Sequence, residues 1–456
     1  MAEDAVKAGD AGDLPEVTRE VAAWTAGFTN ADVTPSARLW TIHALLDWAG
    51  VTVAGAREPL SAILTEQYAE TEGPCTVIAQ GKRARAHDAA MINGSAGHAL
   101  EYDDVNFRLH GHPTVPVAPV VLALAEQHGY SGEDVIRAFI VGYQVECALG
   151  GMAGDEHYNN GFHVTGTMGT FGAAAAAANL MGFDAGQTVN AIGIAATQAA
   201  GIKSMFGTMT KPLHAGKAAM NGMIAAQLAA KGFTAGHDSI ECQQGFMAVS
   251  APGFAAEHFT AGGNQPYEVE NNLFKYHAAC YLTHSTIESL NDIRKQHGIG
   301  LDDVEKLTIF MPPNNRKVCD IPDPESGLEI KFSIRHLAAM ALDGQNTADL
   351  DMYTDENANA PRYAEARNRI QIVEKELTRR CAGAVSIDAR DGRTFVGEID
   401  VGIPAKDTDA QWEKLEHKAR TIMRGVVGEE RTTRIIEEVQ RLPKARDVGA
   451  LMEALA

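Results

Sequence analysis

From His157 through Ile202 the chain carries one formal charge, Asp184, and consists chiefly of Gly, Ala, Thr and Asn. A helix built from such residues has no polar stripe to turn toward water, so it must be covered on every side by protein or by lipid. Small side chains let helix backbones approach closely, while the scarcity of Leu, Ile and Phe argues against a bilayer span. The run Ala173–Ala178 has the highest intrinsic helix propensity, and no strand alternation competes with it. This stretch is therefore expected to form closely packed, buried helices.

A chain of 456 residues, 45% hydrophobic and 21% charged, can bury a large core and is expected to divide into two domains. The formal charge of −20 repels phosphate backbones and anionic lipid, so neither nucleic acid nor membrane is an expected partner. Any basic pocket must be local. The opening Met1-Ala2-Glu3-Asp4 has no cationic region leading into an apolar one, which makes the cytoplasm the default location. Six cysteines lie far apart with no CxxC pair, a pattern of reduced structural thiols rather than of a zinc cage or disulfide framework.

Helical signals dominate the first 260 or so residues. Thr34-Pro35 reads as an N-cap with proline in the first turn, followed by Leu39, Ile42, Leu45, Leu46, Ala49 and Val53 on one face of an amphipathic helix ending near Gly55. Ser131 with Asp134 opens a second helix, and Gly216–Lys231 before Gly232 reads as a third. Strand-like runs enter only after Ala261-Gly262-Gly263: Leu307–Met311, then Ala384–Ile387 joined to Phe395–Ile399 through Asp391-Gly392. Helical spacing returns from Asp409, through Trp412, Leu415, Ala419 and Met423. The expected fold is mainly α. A large all-helical domain is formed by both chain ends (16–265 and 409–456), a smaller α+β lid is inserted at 266–408, and residues 1–15 form an unstructured arm.

Chemistry-bearing residues gather in three clusters, His98-Ala99-Leu100-Glu101-Tyr102-Asp103-Asp104 running to His110-Gly111-His112-Pro113, Gly161-Phe162-His163, and Thr210-Lys211-Pro212-Leu213-His214. The acids Glu101, Asp103 and Asp104 read either as a solvated turn or as a general base beside the following histidines. His110 and His112 form an H-x-H that with Asp103 and Asp104 would suit a divalent metal, but His112 before proline reads better as a fixed proton-carrying imidazole, and no metal is expected. Lys211 has no acid near it in sequence and stands beside an apolar segment, so it needs an anion, and the carboxylate of the substrate is its expected partner. Lys275, Arg335, His336, His214 and Tyr102 are assigned to substrate binding, which places the site between the two domains. His163 is the expected main proton carrier, with Asp103 or Asp104 orienting a histidine. No Gly-rich phosphate loop supports a nucleotide cofactor.

Asn93-Gly94 through Asp104 with His112-Pro113, Gly161-Phe162-His163 continuing to Gly169, Gly207 through Gly216, and Lys331-Phe332-Ser333 together resemble the MmgE/PrpD family. That family includes 2-methylcitrate dehydratase, cis-aconitate decarboxylase and iminodisuccinate epimerase. The resemblance runs from about Thr34 to the C-terminus. It implies a homodimer, a helical domain from both chain ends with an inserted lid, cofactor-free chemistry on polycarboxylates, and active-site positions at Glu101, His112, His163, Lys211, Lys275 and His336. Three substitutions depart from the family pattern: Glu101 where cis-aconitate decarboxylases have aspartate, Val105 for a threonine, and His336, preceded by Arg335, for a lid tyrosine. They argue against cis-aconitate itself as substrate, and the chain also lacks the insertion that follows the acidic segment in dehydratases of the propionate pathway. The leading expectation is a hydro-lyase acting on a small di- or tricarboxylate without metal or nucleotide. The alternatives are an epimerase or decarboxylase of a similar acid, and an anion-binding protein that has lost catalysis.

Overall fold

The computed structural model of the chain describes residues 16–69, 73–256, 266–377 and 381–456. The expected arm at 1–15 and the glycine-rich boundary at 261–265 lie outside the described residues.

The charge-poor stretch forms the helices Val164–Leu180, every residue of which is buried, and Ala185–Ala196, which corrects the expectation of burial throughout, since Ala185 and Gly186 at its start are exposed. It packs between the helices Gly132–Asn159 and Thr210–Ala229. Glycine makes this approach possible: a Cβ on Gly142 would lie 2.6 Å from the Gly172 carbonyl oxygen, and one on Gly172 would lie 2.8 Å from the Gly142 carbonyl oxygen. Replacing Gly142 with valine is expected to lower stability by about 1–3 kcal/mol, because a packed core resists overfilling. A drop in the midpoint of chemical denaturation measures this, and an unchanged midpoint would mean the helices are not in contact there. Gly132–Asn159 is long and apolar enough to cross a membrane by length and composition, but 89% of its apolar window is buried inside the protein.

The helix Pro35–Gly55 begins where expected, with the Thr34 side chain accepting from Ala37 N at 3.0 Å. It is not amphipathic: Trp40 through Gly55 are buried on all sides, while Leu39, expected on the apolar face, is 40% exposed. The helices Thr408–Val427 and Ala86–His98 cover the faces that a surface helix would give to water. The helix expected from Gly216 begins at Thr210 instead. Pro212 does not delay it, because the first turn has no intrahelical use for the N–H that proline lacks.

Two large hydrophobic cores organise the described residues, with a small third cluster of Val105, Leu273, Tyr281 and Cys381. One joins residues from Val17 to Ala278 with others from Leu415 to Leu455, so both chain ends build it, and the second runs from Ala279 to Phe395. Within the second lies a four-stranded sheet ordered Ile370–Glu374, Val304–Met311, Ala382–Ala389, Thr394–Asp400. The first pair is parallel and the rest antiparallel. The expected hairpin turns at Gly392, whose φ of +86° suits glycine. Ile370–Glu374 was not expected as a strand, and a short hairpin, Cys75–Val77 with Lys82–Ala84, corrects the expectation that strands begin only after residue 261. Both are short, so their residues carry too few alternations to register.

Candidate active site

The helix Ala86–His98 ends at the acidic cluster, and the chain then turns sharply at Glu101. Glu101 has φ +57°, a left-handed backbone that a side chain with a Cβ adopts at a cost of roughly 1–3 kcal/mol unless its surroundings enforce it. Those surroundings are cationic. Lys331 Nζ donates to the Leu100 carbonyl at 2.8 Å, and Lys275 Nζ donates to the Glu101 carbonyl at 2.7 Å. Lys275 lies just before the second core begins at Ala279 and Lys331 lies within its range, so the turn is held by residues more than 170 positions further along the chain.

The turn aims the Glu101 carboxylate at Lys211, which sits in the first turn of Thr210–Ala229, and the two form a buried ion pair. Burial alone would raise the Glu101 pKa; Lys211, supported by His98 and Lys275, overrides it and holds the carboxyl at about 2. Lys331 is pulled down to about 8 by its own burial, with Glu101 opposing. An acid that was expected to be a candidate base is thus fully ionised and already paired.

The imidazoles are organised by Asp103. His98 Nδ1 lies 2.9 Å from Asp103 Oδ2, and His112 Nδ1 lies 3.2 Å from the same oxygen and 2.8 Å from the Asp104 carbonyl. Burial works against the Asp103 charge, but the two imidazoles and their hydrogen bonds hold its carboxyl well below the usual range. An ionised carboxylate only accepts hydrogen bonds, so both Nδ1 atoms carry the proton that faces it. Burial pulls His112 down to about 4, which leaves it neutral and basic at Nε2 across the neutral range. The ligand atoms of His98, Asp103 and His112 lie within 4.8 Å of one another, a spacing a cation would accept; here both Nδ1 atoms are already engaged by the carboxylate. His110 lies outside this group and faces Asp155 at 3.2 Å.

His163 continues the ring stack, with its centroid 5.7 Å from that of His98 and its Nδ1 3.0 Å from His214 Nδ1. Burial, then Lys211, pushes its pKa well below the ordinary value, and burial brings His214 down to about 4. The two therefore form a neutral pair in which one ring donates to the other. Phe206 stands edge-on to His163 at 5.1 Å.

A cavity of about 150 Å³ is lined by Glu101, His112, Lys211 and Lys275, together with Phe206, Cys280 and Phe332. A larger one of about 780 Å³ shares Glu101 and Phe332 with it and adds Arg57, Lys331 and Tyr353. The chemistry is concentrated in the smaller space and the larger one reads as its approach. His163 and His214 do not line the small cavity; they stand one ring behind Phe206. Asp104 is turned into the protein, where Thr114 and Asn272 donate to it, and burial outweighs those bonds to push it up to about 7. Tyr102 is also internal, its hydroxyl donating to the Ala348 carbonyl at 3.3 Å.

Besides His214 and Tyr102, two further expected binding residues line neither cavity. Arg335 pairs with Asp320 at 2.8 Å and donates to the Ile370 carbonyl. His336 is fully buried in the second core, with Nδ1 3.1 Å from Arg367 and its ring 4.9 Å from Tyr363. Lys331, four residues before Arg335, takes the cationic position they were expected to fill. The structure also adds His98, which had been assigned no role. Its signal was its place five residues ahead of Asp103 at the end of a helix, within reach of a carboxylate that returns on the next turn.

The MmgE/PrpD N-terminal domain matches residues 19–258, and the MmgE/PrpD C-terminal domain matches residues 277–443. A cis-aconitate decarboxylase of Aspergillus terreus is 27% identical, with 96% of each chain covered. The cis-aconitate decarboxylases of Homo sapiens and Mus musculus are 27% and 26% identical over 80% of this chain. The C-terminal match begins at residue 277, two residues before the second hydrophobic core begins at Ala279. By this match over both halves, the chain belongs to the MmgE/PrpD family.

Proposed function

We propose that this chain is a cofactor-independent lyase that moves a proton on the carbon next to a carboxylate of a small di- or tricarboxylic acid. The observation that carries the reading is the cavity wall itself, where Lys211 and Lys275 face a neutral His112 whose Nδ1 is fixed by Asp103. Dehydration, decarboxylation and epimerisation of such acids all develop negative charge beside a carboxylate, and fixed cations stabilise that charge. In this mechanism Lys211 and Lys275 bind the substrate carboxylate, and His112 Nε2 takes or returns the proton. Asp103 keeps the imidazole in the required tautomer. The His163–His214 pair, linked to His112 through the ring of His98, is a second proton store, so the carrier role expected of His163 passes first to His112.

Two branches of this chemistry have support. The relatives named cis-aconitate decarboxylase cover nearly the whole chain and favour decarboxylation. Glu101 favours a different acid: it already neutralises Lys211, which lowers the net positive charge offered to a tricarboxylate. Dehydration of a less charged hydroxy acid fits that balance.

Proton NMR in D2O separates the branches, with 2-methylcitrate, citrate, cis-aconitate, malate and iminodisuccinate offered to chelator-treated protein. Decarboxylation is read as carbon dioxide release with a new vinyl signal, dehydration as a vinyl signal alone, and epimerisation as deuterium incorporation without either. Silence with every acid, repeated with added divalent metals, would leave the anion-binding reading in its place.

A further inference from the structure

Three lysines from distant parts of the chain donate to three consecutive carbonyls. Lys331 bonds Leu100, Lys275 bonds Glu101, and Lys418, from the helix Thr408–Val427, bonds Tyr102 at 2.7 Å. The residue at the centre of this row is Glu101, whose left-handed backbone aims its carboxylate at Lys211. Lys418 and its counter-ion Asp47, 2.6 Å away, are both buried, and the ammonium also lies 3.9 Å from the centre of the Tyr102 ring.

The three lysines differ in what else they face. Lys275 lines the small cavity and Lys331 the larger one, so a substrate carboxylate competes with the Glu101 and Leu100 carbonyls for their protons. Lys418 lines neither. Its bond to the turn therefore does not compete with a ligand in either cavity. A buried ion pair contributes less to stability than well-packed apolar side chains of the same volume, so stability by itself is a weak reason for Lys418 and Asp47 to be there.

We infer that Lys418, with Asp47 as its counter-ion, is a positioning residue that keeps the Glu101 turn left-handed while Lys275 and Lys331 engage substrate. Its effect on turnover rests on the lyase reading; its effect on the turn does not. The decisive variant is Asp47→Leu/Lys418→Met, which removes both charges and leaves none buried alone. Gln411→Leu on the same helix is the control, since Gln411 is also buried and bonds His43 Nδ1 at 2.8 Å, away from the turn. Both are made in the full chain and compared by thermal melting, by amide hydrogen exchange over residues 98–106, and by kcat and KM for whichever acid of the NMR panel the wild type converts.

The expected result is similar melting of the two variants, exchange over 98–106 faster by about tenfold only in the double variant, and a kcat lower by about a hundredfold at nearly constant KM, as for a misplaced catalytic group. Lys418→Arg, which keeps a charged donor, is expected to retain most of kcat. Exchange and kcat matching those of Gln411→Leu would overturn the inference. If the wild type converts none of the acids, the lyase reading fails, and the exchange measurement alone still decides whether Lys418 holds the turn.

Discussion

Lys211→Met is expected to reduce turnover by about 10²–10³-fold, the usual consequence of removing a preorganised charge from a site of developing negative charge. It is also expected to destabilise the fold by about 3–5 kcal/mol, because Glu101 is left buried without its partner. The sign of the pH dependence distinguishes this from a simple packing defect. In the wild type the folded-state pKa of Glu101 is lowered to about 2, so its stabilising contribution is complete above the unfolded value near 4.5 and is lost as pH falls through 2. Without Lys211 the first cause, burial, prevails and the folded-state pKa lies above the unfolded one. Stability is then greatest below the unfolded value and declines as pH rises. The difference in urea midpoint between variant and wild type should therefore shrink from pH 8 to pH 5; a constant difference would show that Glu101 does not depend on Lys211 for its charge. Glu101→Gln/Lys211→Met should recover stability and not turnover.

His112→Asn is expected to cost about 10²–10⁴-fold in kcat/KM, the range of a positioned general base, with His163→Asn costing less because His163 stands behind Phe206 rather than on the cavity wall. The wild-type profile carries its own signature. Burial lowers His112 to about 4, so the imidazole is a free base above that value and is lost as pH falls through it. The acid limb of kcat/KM should accordingly lie near pH 4, not near the 6.5 of an exposed imidazole. A limb at 6.5 would mean that the proton carrier is solvated, and equal losses in the two histidine variants would return the leading role to His163.

Several elements were legible from local chemistry because each depends on groups close in sequence. The Thr34 cap, the Ser131–Asp134 capping box and the turn at Gly392 belong to this kind. Lys211 was legible too, since a lysine in an apolar stretch without a neighbouring acid asks for an anion. The anion in the structure is not the expected substrate carboxylate but Glu101, 110 residues away, and spacing alone could not supply it. The row of lysines was harder still. Lys418 follows Leu415 and precedes Ala419 on what reads as an ordinary helix, and Asp47 stands between Leu46 and Trp48; each is a charge on an apolar face, which is the only trace the pair leaves in the sequence. Arg335 and His336 show the converse. Their residue types suited substrate binding, yet Asp320 and Arg367, brought in by the second core, claim them.

By itself the sequence determined that the charge-poor run through Val164–Leu180 must be buried, and which clusters carry acids, imidazoles and a lone lysine, because composition and short-range spacing act within a few residues. Only the tertiary structure decided what those groups are. Burial together with charges from remote segments makes Glu101 an ionised partner, His112 a neutral base and Asp104 a braced, high-pKa carboxyl, and a pKa is a property of a surrounding that three separate stretches of chain must fold together to create.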